Sequence, residues 1–109
     1  MFQLDPSPTF DVQVPISVPG KAQPLDLSVS FRHKRKTAIA AWINTARGRT
    51  DVEILGEVIE SWSGVHNAKG EDVPYTVAAL TTLLENYPAA KDDLFQVYLR
   101  ELTEAKRKN

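Results

Sequence analysis

No cysteine occurs in this chain, which excludes disulfides and thiolate metal sites. Glycine is scarce and scattered singly, so neither a phosphate-cradling loop nor a dinucleotide-binding fingerprint is present. No serine sits in a nucleophile elbow. The two histidines, His33 and His66, lie in different segments, and neither has a partner at metal-ligand spacing; both read as ordinary surface residues. No uninterrupted apolar run approaches membrane-spanning length. The start, Met1-Phe2-Gln3-Leu4-Asp5-Pro6, lacks the basic and apolar regions of a signal peptide. These absences suggest a cytosolic protein. A surplus of charge is also missing: 13 Lys and Arg face 14 Asp and Glu, and the net charge is −1. The domain as a whole is therefore not a polyanion binder.

What is present suits one folded domain spanning residues 1–109. The 42% hydrophobic and 25% charged fractions are ordinary, and a chain of 109 residues can bury a core without staples. Residues 1–8 hold two prolines and read as an extended arm. Strict alternation follows. Phe10, Val12, Val14, Ile16 and Val18 point one way, and Asp11, Gln13, Pro15 and Ser17 the other. Pro15 donates no backbone hydrogen bond, so this strand should lie at an edge or be interrupted there. Pro19-Gly20 signals a turn, and Pro24 closes the loop. Leu25, Leu27, Val29 and Phe31 then face inward, with Asp26, Ser28, Ser30 and Arg32 outward. Residues 9–32 are thus expected to form a β-hairpin.

A lone hairpin is barely stable in water, so its apolar face needs a cover. Residues 36–108 supply it as helices. Thr37 to Ala46 places Ala38, Ile39, Trp42, Ile43 and Ala46 on one face, and Gly48 marks the stop. Thr50 or Asp51 caps a second helix carrying Val52, Leu55, Val58, Ile59 and Trp62, ended by Ser63-Gly64. Residues 65–72 read as a loop. Thr76 caps a third helix, Val77 to about Asn86, bearing Leu80, Leu83 and Leu84. Pro88 enforces a break at Tyr87. A last helix is expected from Ala89 to Lys106, with Leu94, Phe95, Tyr98, Leu99, Leu102 and Ala105 on its apolar face and Val97 projecting away. Asp92 and Asp93 in its first turn, and Lys106, Arg107 and Lys108 at its end, suit the helix dipole. The fold class is α+β: an N-terminal antiparallel β-hairpin packed against about four short helices.

Two charged groups are the candidate partner-binding sites. Helical spacing puts Glu53, Glu57 and Glu60 on one stripe, where they could hold a cation or a basic partner; the plainer reading is a solvated helix face. Catalysis would need a pocket that perturbs their pKa values, and no motif points to one. The run Arg32-His33-Lys34-Arg35-Lys36 could contact nucleic acid or an acidic protein, with Arg32, Lys34 and Arg35 as the candidate contacts. No aromatics interleave the run, which weighs against nucleic acid. Trp42 and Trp62 read as core residues. No catalytic residue, metal or cofactor is expected. The alternative function is a small nucleic-acid-binding or regulatory domain using residues 32–36.

Taken whole, the chain resembles the tail assembly chaperones of long-tailed bacteriophages and prophages. The resemblance lies in the opening Phe2-Gln3-Leu4-Asp5-Pro6-Ser7-Pro8-Thr9-Phe10 and the alternating run into Val18-Pro19-Gly20. It continues in Val29 to Lys36 ahead of an alanine-rich helix, in Ser61-Trp62, and in Leu83-Leu84-Glu85-Asn86-Tyr87-Pro88-Ala89-Ala90. Tyr98-Leu99 and Ala105 to Asn109 complete it. It implies association with the tape measure protein, assistance to tail tube subunits, and absence from the finished virion. In many phages a translational frameshift also makes an extended form. The family offers no catalytic residues to carry over. A long helical tape measure with bare apolar faces would aggregate, and a chaperone that self-associates would multiply weak contacts by avidity. The hairpin edge is one candidate surface for self-association, blunted at Pro15.

Overall fold

A computed structural model describes residues 1–104. Its elements, in chain order, are β1 (Thr9–Ile16), β2 (Leu25–Arg32), α1 (Lys36–Asn44), α2 (Asp51–Val58), β3 (Ile59–Ser63), α3 (Val77–Asn86) and α4 (Ala90–Thr103). The architecture is α+β, with the hairpin packed on helices as expected. The antiparallel sheet has three strands, in the order β1-β2-β3.

The hairpin register pairs Phe10 with Phe31, Val12 with Val29 and Val14 with Leu27, so apolar side chains from both strands share one face. Pro15 sits on the outer strand, where a missing N–H leaves no ladder partner stranded. At the turn, Lys21 N–H donates to the Val18 carbonyl at 3.1 Å, and Gly20 adopts φ +80°. Proline then glycine at the two central positions is the signature of a type II turn. Leu25, expected inward, is exposed, because it lies at the strand's end beside the loop.

The third strand overturns the expectation of a second helix running to Trp62. Helix α2 ends at Val58, and the chain continues straight into β3 along the free edge of β2. Ile59 and Trp62 are three apart, a spacing that mimics a helix. The ladder pairs Trp62 with Val29 and Ser61 with Ser30, then slips so that Ile59 meets Phe31. This bulge absorbs Glu60. It lets both Ile59 and Trp62 face the core, which a regular period-two strand forbids. Trp62 is a core residue as expected, but from a strand. Its indole N–H donates to the Val73 carbonyl at 2.9 Å, and its ring meets Tyr75 edge-on at 5.1 Å. The loop after β3 carries one isolated bridge, His66 with Asp72.

The remaining helices hold close to expectation. Thr76 caps α3, its hydroxyl accepting from Ala79 N–H at 3.0 Å. Asp92 and Asp93 fall in the first turn of α4. Val97 is half-buried and packs against the core instead of projecting away, because α4 is embraced by more than one layer. Ile43, expected on the apolar face of α1, is exposed; only Trp42 of that helix is fully buried. Ala105 and the basic residues Lys106, Arg107 and Lys108 lie outside the described residues.

The core joins the inner face of the sheet to α1, α2, α3 and α4. At its centre is an aromatic cluster. Tyr98 lies 5.0 Å from Phe31, 5.3 Å from Trp42 and 6.0 Å from Phe10, and Trp42 stacks on Phe95 at 5.0 Å. Both polar tips are satisfied: Trp42 Nε1 donates to the Ile54 carbonyl at 3.0 Å, and Tyr98 OH to the Arg32 carbonyl at 2.7 Å. Burial pushes the Tyr98 phenol up to about 12, with a smaller contribution from the Glu57 charge.

Candidate partner-binding surfaces

Arg32 closes the strand β2, and its guanidinium reaches the end of α2. Nη1 lies 3.2 Å from each of the carbonyls of Gly56, Glu57 and Ile59, and Nε pairs with Glu60 at 2.6 Å. The carbonyls at a helix C-terminus have no intrahelical donor and carry partial negative charge. Arg32 therefore caps the helix-to-strand junction as well as pairing with the bulge residue.

Next to it, Glu57 bridges two cations: Lys34 Nζ at 2.6 Å and Arg49 Nη2 at 3.0 Å. The hydrogen bond from Lys34, helped by Arg49, holds the Glu57 carboxyl below its ordinary value of 4.5 against a partial desolvation. Glu53 plays a third part. It closes a capping box, accepting from Thr50 N–H at 3.1 Å while its own N–H donates to the Thr50 hydroxyl at 3.2 Å. The bond from the Thr50 backbone, then the one from its hydroxyl, lowers the Glu53 carboxyl as well.

The structure thus brings two acidic and two basic candidates together, Glu60 with Arg32 and Glu57 with Lys34, instead of presenting them as two separate faces. Glu60 is not on the helical stripe at all; the bulge in β3 places it opposite Arg32. Of the six candidates, Glu53, Glu57, Glu60, Arg32 and Lys34 are engaged within the fold. Arg35 stands apart at the exposed N-cap of α1, with no side-chain partner among the described residues. What sequence reasoning missed is this mutual pairing. The charges come from segments more than twenty residues apart, and no local spacing reports that.

Two further surfaces emerge only in three dimensions. The outer face of the sheet is polar. Asp11, Gln13, Ser28, Ser30, Ser61 and Ser63 line a shallow depression of about 380 Å³, and Ser28 Oγ donates to Gln13 Oε1 at 3.0 Å. One solvated face is usual for an antiparallel sheet. The other surface is an open groove of about 300 Å³ between the α1–α2 connection and the start of α4. Ala46, Ile54 and Phe95 contribute its apolar wall. Its rim is charged: Lys91 pairs with Asp51 at 3.5 Å, Arg49 is held by Glu57, and Arg47 and Asp92 have no ion-pair partner among the described residues.

Among the described residues, no helix is long and apolar enough to cross a membrane. No curated protein and no solved structure matches the chain. A family model described as phage tail assembly chaperone matches residues 1–109, the whole length of the sequence. The chain belongs to the phage tail assembly chaperone family.

Proposed function

We propose that this chaperone binds the tape measure protein in the host cytoplasm, keeps it soluble, and helps tail tube subunits assemble around it without remaining in the finished virion. The observation that carries this reading is the family match over residues 1–109. The role is one of binding, without catalysis. In support, Glu53 and Glu57 are held ionised by caps and ion pairs, with pKa values moved down and away from those that suit a general acid or base at neutral pH. Glu60 is likewise committed to Arg32. Arg32 and Lys34 are neutralised by Glu60 and Glu57, which weakens the alternative of a nucleic-acid patch over residues 32–36. Arg35 and the polar outer sheet face remain open to an incoming helix.

Co-expression with the tape measure protein of the same phage tests the proposal. The expected result is a soluble complex recovered by affinity capture. An insoluble tape measure protein and no complex, with this chain folded and present in excess, would refute it. Retention on DNA or RNA that falls steeply with salt would favour the alternative instead.

A further inference from the structure

The arm formed by residues 1–8 is outside the core, and it carries the most exposed apolar side chains of the fold. Phe2 is 92% and Leu4 87% exposed. Its root is fastened, since the Pro8 carbonyl accepts from His33 N–H at 2.9 Å. Pro6 and Pro8 restrict the backbone on both sides of Ser7, so ordering the arm on a surface costs less than ordering a free tail. Two large apolar side chains on a tethered, stiffened segment fit a docking element.

We propose that the arm of one copy docks in the helical groove of a second copy, Phe2 entering beside Ala46, Ile54 and Phe95 and Asp5 pairing with Arg47. Three observations select this occupant. The groove is near the lower limit for a ligand pocket, about 300 Å³, a size for one or two side chains and not for a long helix. Two charges on its rim have no ion-pair partner among the described residues, Arg47 and Asp92, and the arm's one charged side chain, Asp5, is complementary to Arg47. The arm also starts at the wrong end of β1 to reach its own groove easily. It leaves beside Thr9 and Arg32, whereas the start of α4 is tied to the other end of β1, where Ser17 N–H donates to Asp93 at 2.9 Å. A second copy has no such constraint. Reciprocal exchange of two arms makes a closed, two-fold dimer, and it does not rest on the tape measure reading.

Sedimentation equilibrium on the full chain tests it. The expected result is a concentration-dependent dimer, weakened about tenfold or more by Phe2→Ala, as for an aromatic anchor in a pocket. Asp5→Arg and Arg47→Asp each weaken the dimer, and the double variant recovers it. If Arg47→Asp fails to fold, by circular dichroism, Phe2→Ala and Asp5→Arg lie outside the core and carry the test. A chain monomeric at every concentration overturns the proposal, as does a dimer indifferent to Phe2 and Asp5. So does a monomer in which Phe2→Ala moves the amide resonances of Ile54 and Phe95, because the arm then occupies its own groove. Tape measure binding can fail or succeed without altering any of these readings.

Discussion

Replacing Tyr98 by phenylalanine deletes a single oxygen from the centre of the core. The Tyr98 side chain is wholly buried among Phe10, Phe31 and Trp42. The ring volume hardly changes, so no cavity is made. What is lost is the 2.7 Å hydrogen bond to the Arg32 carbonyl, which ties α4 to the end of β2. A hydrogen bond of this kind contributes about 1 kcal/mol net, and leaving a half-buried acceptor short of a donor raises the cost to about 1–2 kcal/mol. Unfolding entropy near the midpoint is about 2.1 cal/mol/K per residue, or about 0.23 kcal/mol/K for a chain of this length, so Tm should fall by about 4–9 °C. Circular dichroism melts at neutral pH measure this directly.

The same substitution has a pH signature. Burial lifts the Tyr98 phenol from its ordinary value of 10 to about 12 in the folded chain. A folded pKa above the unfolded one means that the contribution is complete below pH 10 and is lost as pH rises towards 12. The stability gap between wild type and Tyr98→Phe should therefore narrow over that interval. Melts that differ by less than about 2 °C at neutral pH would refute the role assigned to the hydroxyl. A gap that stays constant through pH 10–12 would refute the assignment of its burial.

Trp62→Ala should cost about 3–5 kcal/mol in urea unfolding, since it empties a core position and strands the Val73 carbonyl; a near-neutral result would place the indole outside the core. Arg32→Met should cost about 1–3 kcal/mol and speed amide exchange at the end of α2, because the carbonyls of Gly56, Glu57 and Ile59 lose a charged donor. Glu57 has its pKa lowered in the folded state, so the stability it supplies is present above its ordinary value of 4.5 and is lost as pH falls through the lower folded value. Glu57 is partly exposed, so the effect should stay within about 1 kcal/mol, and Glu57→Gln should flatten the acid limb of the stability profile. Thr50→Ala should cost about 1 kcal/mol through loss of the capping box, read from the urea midpoint.

Much of the fold was legible because its signals are local. Alternation with Pro19-Gly20 between the runs marked the hairpin and its outer limits, Thr9 and Arg32, although β1 ends at Ile16, short of Val18. Thr76 and Pro88 bracket α3 by capping and by steric exclusion, both effects that act within a few residues. The misreading of residues 59–63 has a physical cause. A strand with a bulge can put side chains three apart on one face, as Ile59 and Trp62 are, and periodicity alone cannot separate that from a helix. The surfaces were less legible still. Glu53, Glu57 and Glu60 are exposed acids, but their engagements depend on Thr50, on Lys34 and Arg49, and on Arg32 respectively.

By itself, the sequence determined the class of the protein: a cysteine-free α+β chain with a hairpin, a set of short amphipathic helices, and no motif of a known catalytic site. Its ordered segments also carried the likeness to the tail assembly chaperones, which the family match over residues 1–109 establishes. Hydrophobic period, caps and turn residues act over short distances, so one dimension suffices to read them. Only the tertiary structure decided that β2 gains a third strand, that Arg32 pairs with Glu60 and Lys34 with Glu57, and that a groove opens between the α1–α2 connection and α4. Those features depend on which distant segments meet. That choice is made by packing the whole apolar surface at once, around Tyr98, Phe31 and Trp42.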